Sequence, residues 1–253
     1  MSNLENTAVP PPPEAPGLSQ LQRLICTITE PTKAFTDIKR NTSWWLPFVL
    51  SALFGYALFF GIQTKVTWQQ VAENNIKMSP RQAEQMEKLP ADQRATNMKF
   101  AAMLTQGIFA ASPVVALIFV AVMAGVLMGT VNFGFGGKAT FWQAFSVVWW
   151  AGLPGLIKFL LGTVALFVGL APESFNLNNP AGTNIGYYLS PETPKALLAL
   201  ATALDVTTIW TLILASIGIS IVAGVKRSSG YIAVFGWWAI LTLFSVGMAA
   251  AFS

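Results

Sequence analysis

The sequence has no histidine and a single cysteine, Cys26. The first absence removes imidazole as acid, base or metal ligand. The second removes any disulfide within the chain. Charge is scarce as well: 10% of the 253 residues are Asp, Glu, Lys or Arg, against about a quarter in a soluble domain. A fold exposed mainly to water is thereby excluded. The opening MSNLENTAVPPPPEAPG has neither a basic start nor an apolar core, so the first span is expected to act as its own insertion signal. A net charge of +4 implies nucleic-acid affinity only when the basic residues share a face. Here they flank apolar stretches, and no nucleic-acid partner is expected.

What remains is hydrophobic, 54% of the chain, and gathered into runs. Five stretches, residues 44–63, 110–131, 147–170, 196–222 and 231–252, reach the roughly 20 residues needed to cross about 30 Å of hydrocarbon. The expected fold is all-α: a polytopic membrane protein with five transmembrane helices plus amphipathic surface helices. Residues 1–18 read as a disordered proline-rich tail. Residues 19–43 read as amphipathic helices on the cytoplasmic face, with Leu21, Leu24, Ile25 and Ile28, then Phe35 and Ile38, at helical spacing. Residues 44–253 read as the five-span domain, carrying a polar helical insert at 65–99. Within the insert, Ser79, Pro80 and Gln82 resemble the start of a capped helix. Pro113 predicts a kink in the long apolar region that follows the insert.

Charge suggests the orientation. Arg23, Lys33, Lys39, Arg40, Lys138, Lys226 and Arg227 fall on one side if the N-terminus is cytoplasmic, which is the side the positive-inside rule assigns. The basic residues of the insert pull the other way, though it also holds Glu73, Glu84, Glu87 and Asp92. The reading is N-terminus in, C-terminus out.

The candidate site lies in the spans. AFSVVWWAGLPGLIKFLLGTVALFVGL, residues 144–170, is interrupted by Gly152, Pro154 and Gly155 and carries Lys158. A lysine at mid-bilayer costs at least about 2.5–3.5 kcal/mol unless paired or hydrated. Asp205, in ALATALDVTTIW, is the one acid inside an apolar stretch. At 1.5 Å per residue, Lys158 lies about 18 Å and Asp205 about 13 Å below the ends of their spans. The two are therefore a candidate intramembrane ion pair; the alternative is that Lys158 snorkels to water past a bend. Gly152, Pro154 and Gly155 are a candidate helix bend, either lining a substrate path or joining an interfacial helix at 141–150 to a span. Ala121, Gly125 and Gly129, and likewise Ser216, Ser220 and Gly224, form small-residue rows suited to helix packing, within the chain, in a homo-oligomer or against a membrane-protein partner. Cys26 is a candidate for acylation or an inert thiol. GFGGKAT fails the phosphate-loop pattern at Asn132 and Ala139. No catalytic constellation, cofactor motif or metal-ligand cluster is visible, so the chain is read as non-enzymatic.

Three motifs carry a family likeness. EPTKAFTDIKRNTSWWLPFVL at the first span, KATFWQAFSVVWWAGLPGLI with Gly152 and Pro154, and LDVTTIWTLILASIGISIVAGVKRSSGYIAV with Trp210, Gly218 and Lys226–Arg227 resemble the bacterial branch of the Yip family, the Ypt-interacting or Yip-one domain proteins. The resemblance implies five spans, a cytosolic N-terminus and a bacterial cytoplasmic membrane. In eukaryotic members it further implies vesicle traffic and binding of Rab-type GTPases. The eukaryotic entry motif is absent here, where Asn41, Thr42, Ser43, Trp44 and Trp45 stand, so GTPase binding does not carry over. Two functions are compatible with these residues: a scaffold or adaptor that organises the membrane, and a small ion-coupled permease using Lys158 and Asp205.

Overall fold

Ser19 accepts the Gln22 backbone N–H, and the Gln22 side chain accepts Ser19 N–H in return. This closed capping box starts α1 (Gln20–Thr29). Pro31, whose missing N–H costs nothing in a first turn, starts α2 (Pro31–Arg40). The computed structural model describes residues 17–190 and 192–251; the proline-rich tail reading falls mostly outside them. The chain continues as α3 (Trp45–Lys65), α4 (Trp68–Lys77), α5 (Pro80–Glu87), α6 (Ala91–Ala110), α7 (Ser112–Phe135), α8 (Phe141–Ala151), α9 (Leu156–Phe167), α10 (Lys195–Ala203), α11 (Val206–Ala223) and α12 (Arg227–Ala251). Five segments are long and apolar enough to cross a bilayer: α3, α7, α8 with α9, α11 and α12.

Two ends of the bundle differ in character. At one end Gln143 Nε2 donates to Lys39 O, Lys138 N to Ala223 O, and Arg227 donates to Thr32 Oγ1. These contacts gather α2 and the turns after α7 and α11 together with Lys39, Lys138, Lys226 and Arg227, and we call this the basic end. The other, loop end holds α4, α5, the 168–194 loop and α10.

Two apolar cores follow. The first packs α2, α7, α8 and α11, with Phe35, Val147, Trp150 and Ile219 fully enclosed. The second joins Leu58 and Ile62 of α3 to Trp68 and Val71 of α4, Leu166 of α9 and Phe175 of the loop. The insert at 65–99 is thus seated on the loop end by its apolar face rather than held apart as a polar module.

Several expectations shift. α1 presents Leu21, Ile25 and Ile28 outward, whereas α2 turns Phe35 and Ile38 inward, both 0% exposed. Its amphipathic face therefore meets protein, not lipid. Ser79 makes no side-chain cap to α5. The kink at Pro113 is a full break: α6 ends at Ala110 and α7 starts at Ser112. The Ala110 carbonyl left over by that break accepts Tyr56 Oη–H at 3.0 Å, which satisfies an orphan acceptor. The 141–150 segment, expected to be interfacial, forms an inner wall of the first core. α9 alone, 12 residues and about 18 Å long, is too short to cross a bilayer. The stretch 196–222 is not one span, because the helix is interrupted at Leu204 and Asp205.

Candidate functional site

The interruption at Asp205 has a local cause. Aspartate favours a helix N-cap, and Asp205 stands immediately before Val206, the first residue of α11. Asp205 adopts extended geometry, φ −102° and ψ 131°. Its Oδ1 accepts Thr207 N at 2.9 Å, Thr208 N at 3.0 Å and Thr207 Oγ1 at 2.6 Å. Its Oδ2 accepts Thr183 Oγ1–H and, at 3.1 Å, Asn184 Nδ2–H. Thr183 O also accepts Val206 N–H at 3.1 Å, so the 168–194 loop is sewn to the start of α11 through both backbone and carboxylate.

Lys158 completes the cluster from α9. Its Nζ lies 3.2 Å from Asp205 Oδ1 and donates to Thr208 Oγ1 at 3.3 Å. The Asp205 side chain is 1% exposed and that of Lys158 31%. The carboxylate is enclosed and its partner is half-buried. What brings Lys158 to this height is the turn at Leu153–Gly155, a single 3-10 turn between α8 and α9. Pro154 supplies no N–H to the preceding turn and crowds its carbonyls. Gly152 N–H donates to Val148 O at 3.0 Å and Gly155 N–H to Gly152 O at 2.9 Å. A Cβ on Gly155 would meet nothing within 4 Å, so space does not demand glycine there.

The small-residue rows separate. Cβ atoms on Gly125 or Gly129 would meet nothing within 4 Å, so none of the described helices is pressed on those two glycines, and Ala121 only borders the first core. Ser216 and Ser220 are buried against α12, where a Cβ on Gly230 would stand 2.4 Å from Ser216 O. Gly224 has another job, capping α11 at φ +69°. A second close approach escapes the row pattern: a Cβ on Gly218 would fall 2.6 Å from Val147 and 2.9 Å from Phe35.

A second charged cluster, at the basic end, was not singled out from sequence. Arg23, 0% exposed, donates through Nε at 3.0 Å, and through Nη2, to Asp37 Oδ2. Its Nη1 donates to Ser43 O at 3.0 Å, a carbonyl that Trp150 Nε1 also reaches at 2.8 Å. The guanidinium lies 5.5 Å from the Trp150 ring centroid. Arg23 and Asp37 are fourteen residues apart on different helices, which leaves no periodic signal. Cys26 is buried, which shields its thiol from acylation. Among the described residues no group of three or more Cys, Asp or Glu is placed to hold a metal ion.

A family model for the Yip1 domain matches residues 25–249. The chain belongs to that family. No curated protein and no solved structure matches it. The matched part of this Yip1 domain contains Lys158, Asp205, the turn between α8 and α9 and the Gly230 contact, and it ends in the last turns of α12.

Proposed function

We propose that this Yip1 domain is a non-enzymatic scaffold or adaptor, which organises its bilayer and recruits protein partners through its N-terminal region and its α4–α6 insert. It would sit in a bacterial cytoplasmic membrane with the basic end cytoplasmic and the C-terminus outside. The observation that carries the reading is the saturation of Asp205. A carboxylate that couples ion movement must exchange its partners. Both oxygens here are engaged by threonine, asparagine, lysine and the first amides of α11, which favours a fastening role. The membrane-traffic role of eukaryotic relatives is the nearest analogy, and it rests on family likeness alone.

The competing reading, a small permease with Lys158 and Asp205 in a polar pathway, draws on the partial exposure of Lys158. Water access at that position separates the two. In a Cys26→Ser background, Lys158→Cys in sealed vesicles is expected to resist a membrane-impermeant maleimide from either side, while Lys88→Cys reacts from one side. Labelling of position 158 in a protein with an unchanged melting curve would overturn the scaffold reading in favour of the permease.

A further inference from the structure

A crevice of about 950 Å³ opens at the loop end, within the size range of small-molecule sites. One wall is a single face of α10, formed by Lys195, Leu198, Ala199 and Thr202, spaced so that all four align. Ser245 and Ala249 of α12 also line the crevice, with Asn74 and Lys77 of α4 and Met78 just after that helix. The 168–194 loop closes the third side with Phe175 and Asn176. Asn74 keeps this side in place by donating to Pro172 O at 2.8 Å and Phe175 O at 2.9 Å.

The lining is divided by chemistry. Leu198, Ala199, Ala249 and Phe175 make an apolar strip, while Lys77, Lys195 and the asparagines of the loop supply donors, with Glu173 the one carboxylate. Among the described residues no carboxylate pairs with Lys77, whose side chain is exposed. The apolar strip does not end at the crevice. Leu197 and Leu200 on α10, and Phe244 and Met248 on α12, carry it onto the exposed exterior of the bundle, the surface that meets acyl chains.

We propose that this crevice binds an anionic phospholipid drawn from the surrounding bilayer. The acyl chains lie along the α10–α12 strip and the phosphate sits at Lys77, on the α4 side of the crevice. A free phosphate would leave the apolar strip wet, and an uncharged lipid would gain nothing from Lys77; an anionic amphiphile uses both. The lipid would also bridge α4 to the α10–α12 pair, whose two helices pack directly on each other. The inference does not depend on the scaffold reading, since a permease of this shape would hold the same lipid.

The test uses the full chain in a neutral detergent, with phosphatidylglycerol or phosphatidylcholine added and retained lipid counted by native mass spectrometry. Phosphatidylglycerol is expected to be retained at one per chain and phosphatidylcholine at several-fold lower occupancy. Lys77→Gln, a surface change that leaves the fold intact, is expected to weaken phosphatidylglycerol about fivefold, the usual effect of one lysine on an anionic lipid surface. Ala199→Trp is expected to remove the bound lipid by filling the strip. Equal retention of both lipids, unchanged by Lys77→Gln, would mean ordinary boundary lipid and overturn the proposal. Displacement of phosphatidylglycerol by millimolar inorganic phosphate would overturn it too, in favour of a site for free anions.

Discussion

Asp205 holds Lys158 with the same oxygen that caps α11. Oδ1 accepts the amides of Thr207 and Thr208 and lies 3.2 Å from Lys158 Nζ. Cap and ion pair therefore share an atom, and the two partners are unequal in what they support.

Removal of the acid is expected to cost far more than removal of the base. Asp205→Ala loses the helix cap, the loop fastening and the pair, for a loss on the order of 3–5 kcal/mol. Lys158→Met leaves the carboxylate with its other donors and should cost about 1–3 kcal/mol. Asp205→Asn keeps an acceptor for the amides and should fall between them. Denaturant unfolding in micelles orders the three; a Lys158→Met loss equal to that of Asp205→Ala would contradict the shared-atom geometry.

Glycine substitutions should split by site. Gly230→Ala forces a methyl group 2.4 Å from the Ser216 carbonyl, and backbone on both sides leaves no flexible atom to yield. A clear drop in melting temperature is expected. Gly125→Ala and Gly129→Ala, inside a helix with open space beside them, should be neutral or stabilise by up to about 1 kcal/mol. Loss of stability at Gly125 or Gly129 would instead reveal a second chain pressed on that row.

The Arg23–Asp37 cluster should behave as a buried pair. Arg23→Met leaves the buried Asp37 carboxylate with only Leu18 N–H at 3.1 Å and Arg40 Nη2 at 3.8 Å, both on Oδ1, and should cost about 3 kcal/mol, whereas Arg23→Met with Asp37→Leu should recover most of that loss. Limited proteolysis between α1 and α3 reports whether the helix pair has come off α8. Sensitivity to cleavage in both variants would show that the charges, not the Phe35 and Ile38 packing, hold α2 down.

Topology is checked at two exposed positions in the Cys26→Ser background. Lys138→Cys at the basic end and Lys88→Cys in the insert should label from opposite sides of a sealed vesicle, Lys138 from the cytoplasmic side. The reverse pattern would invert the orientation while leaving the fold unaltered.

Five membrane-length stretches are legible in the sequence because apolar runs of that length have few other uses. Their boundaries are less so. Hydropathy averages over Asp205 and merges α10 with α11, although the DVTT string carries a cap signal that a helix-start reading could use. Pro113 is visible as a breaker, but not that Tyr56 would receive the freed carbonyl from another span. Phe35 and Ile38 read as a lipid-facing stripe, since periodicity marks an apolar face without naming what covers it. Lys158 and Asp205 stand out as lone charges in apolar stretches. Thr183 and Asn184 do not, because a polar loop gives no sign of which residue it will fasten.

The helices differ in who senses the bilayer. α11, at 18 residues or about 27 Å, is the shortest crossing and is mostly wrapped by protein. α12 runs for 25 residues, about 37 Å, and past Val234 none of its described residues is buried. Hydrophobic mismatch is thereby concentrated on one helix. The apolar part of α12, residues 231–251, is about 32 Å long, so a thinner bilayer would tilt this helix while leaving the enclosed short one indifferent.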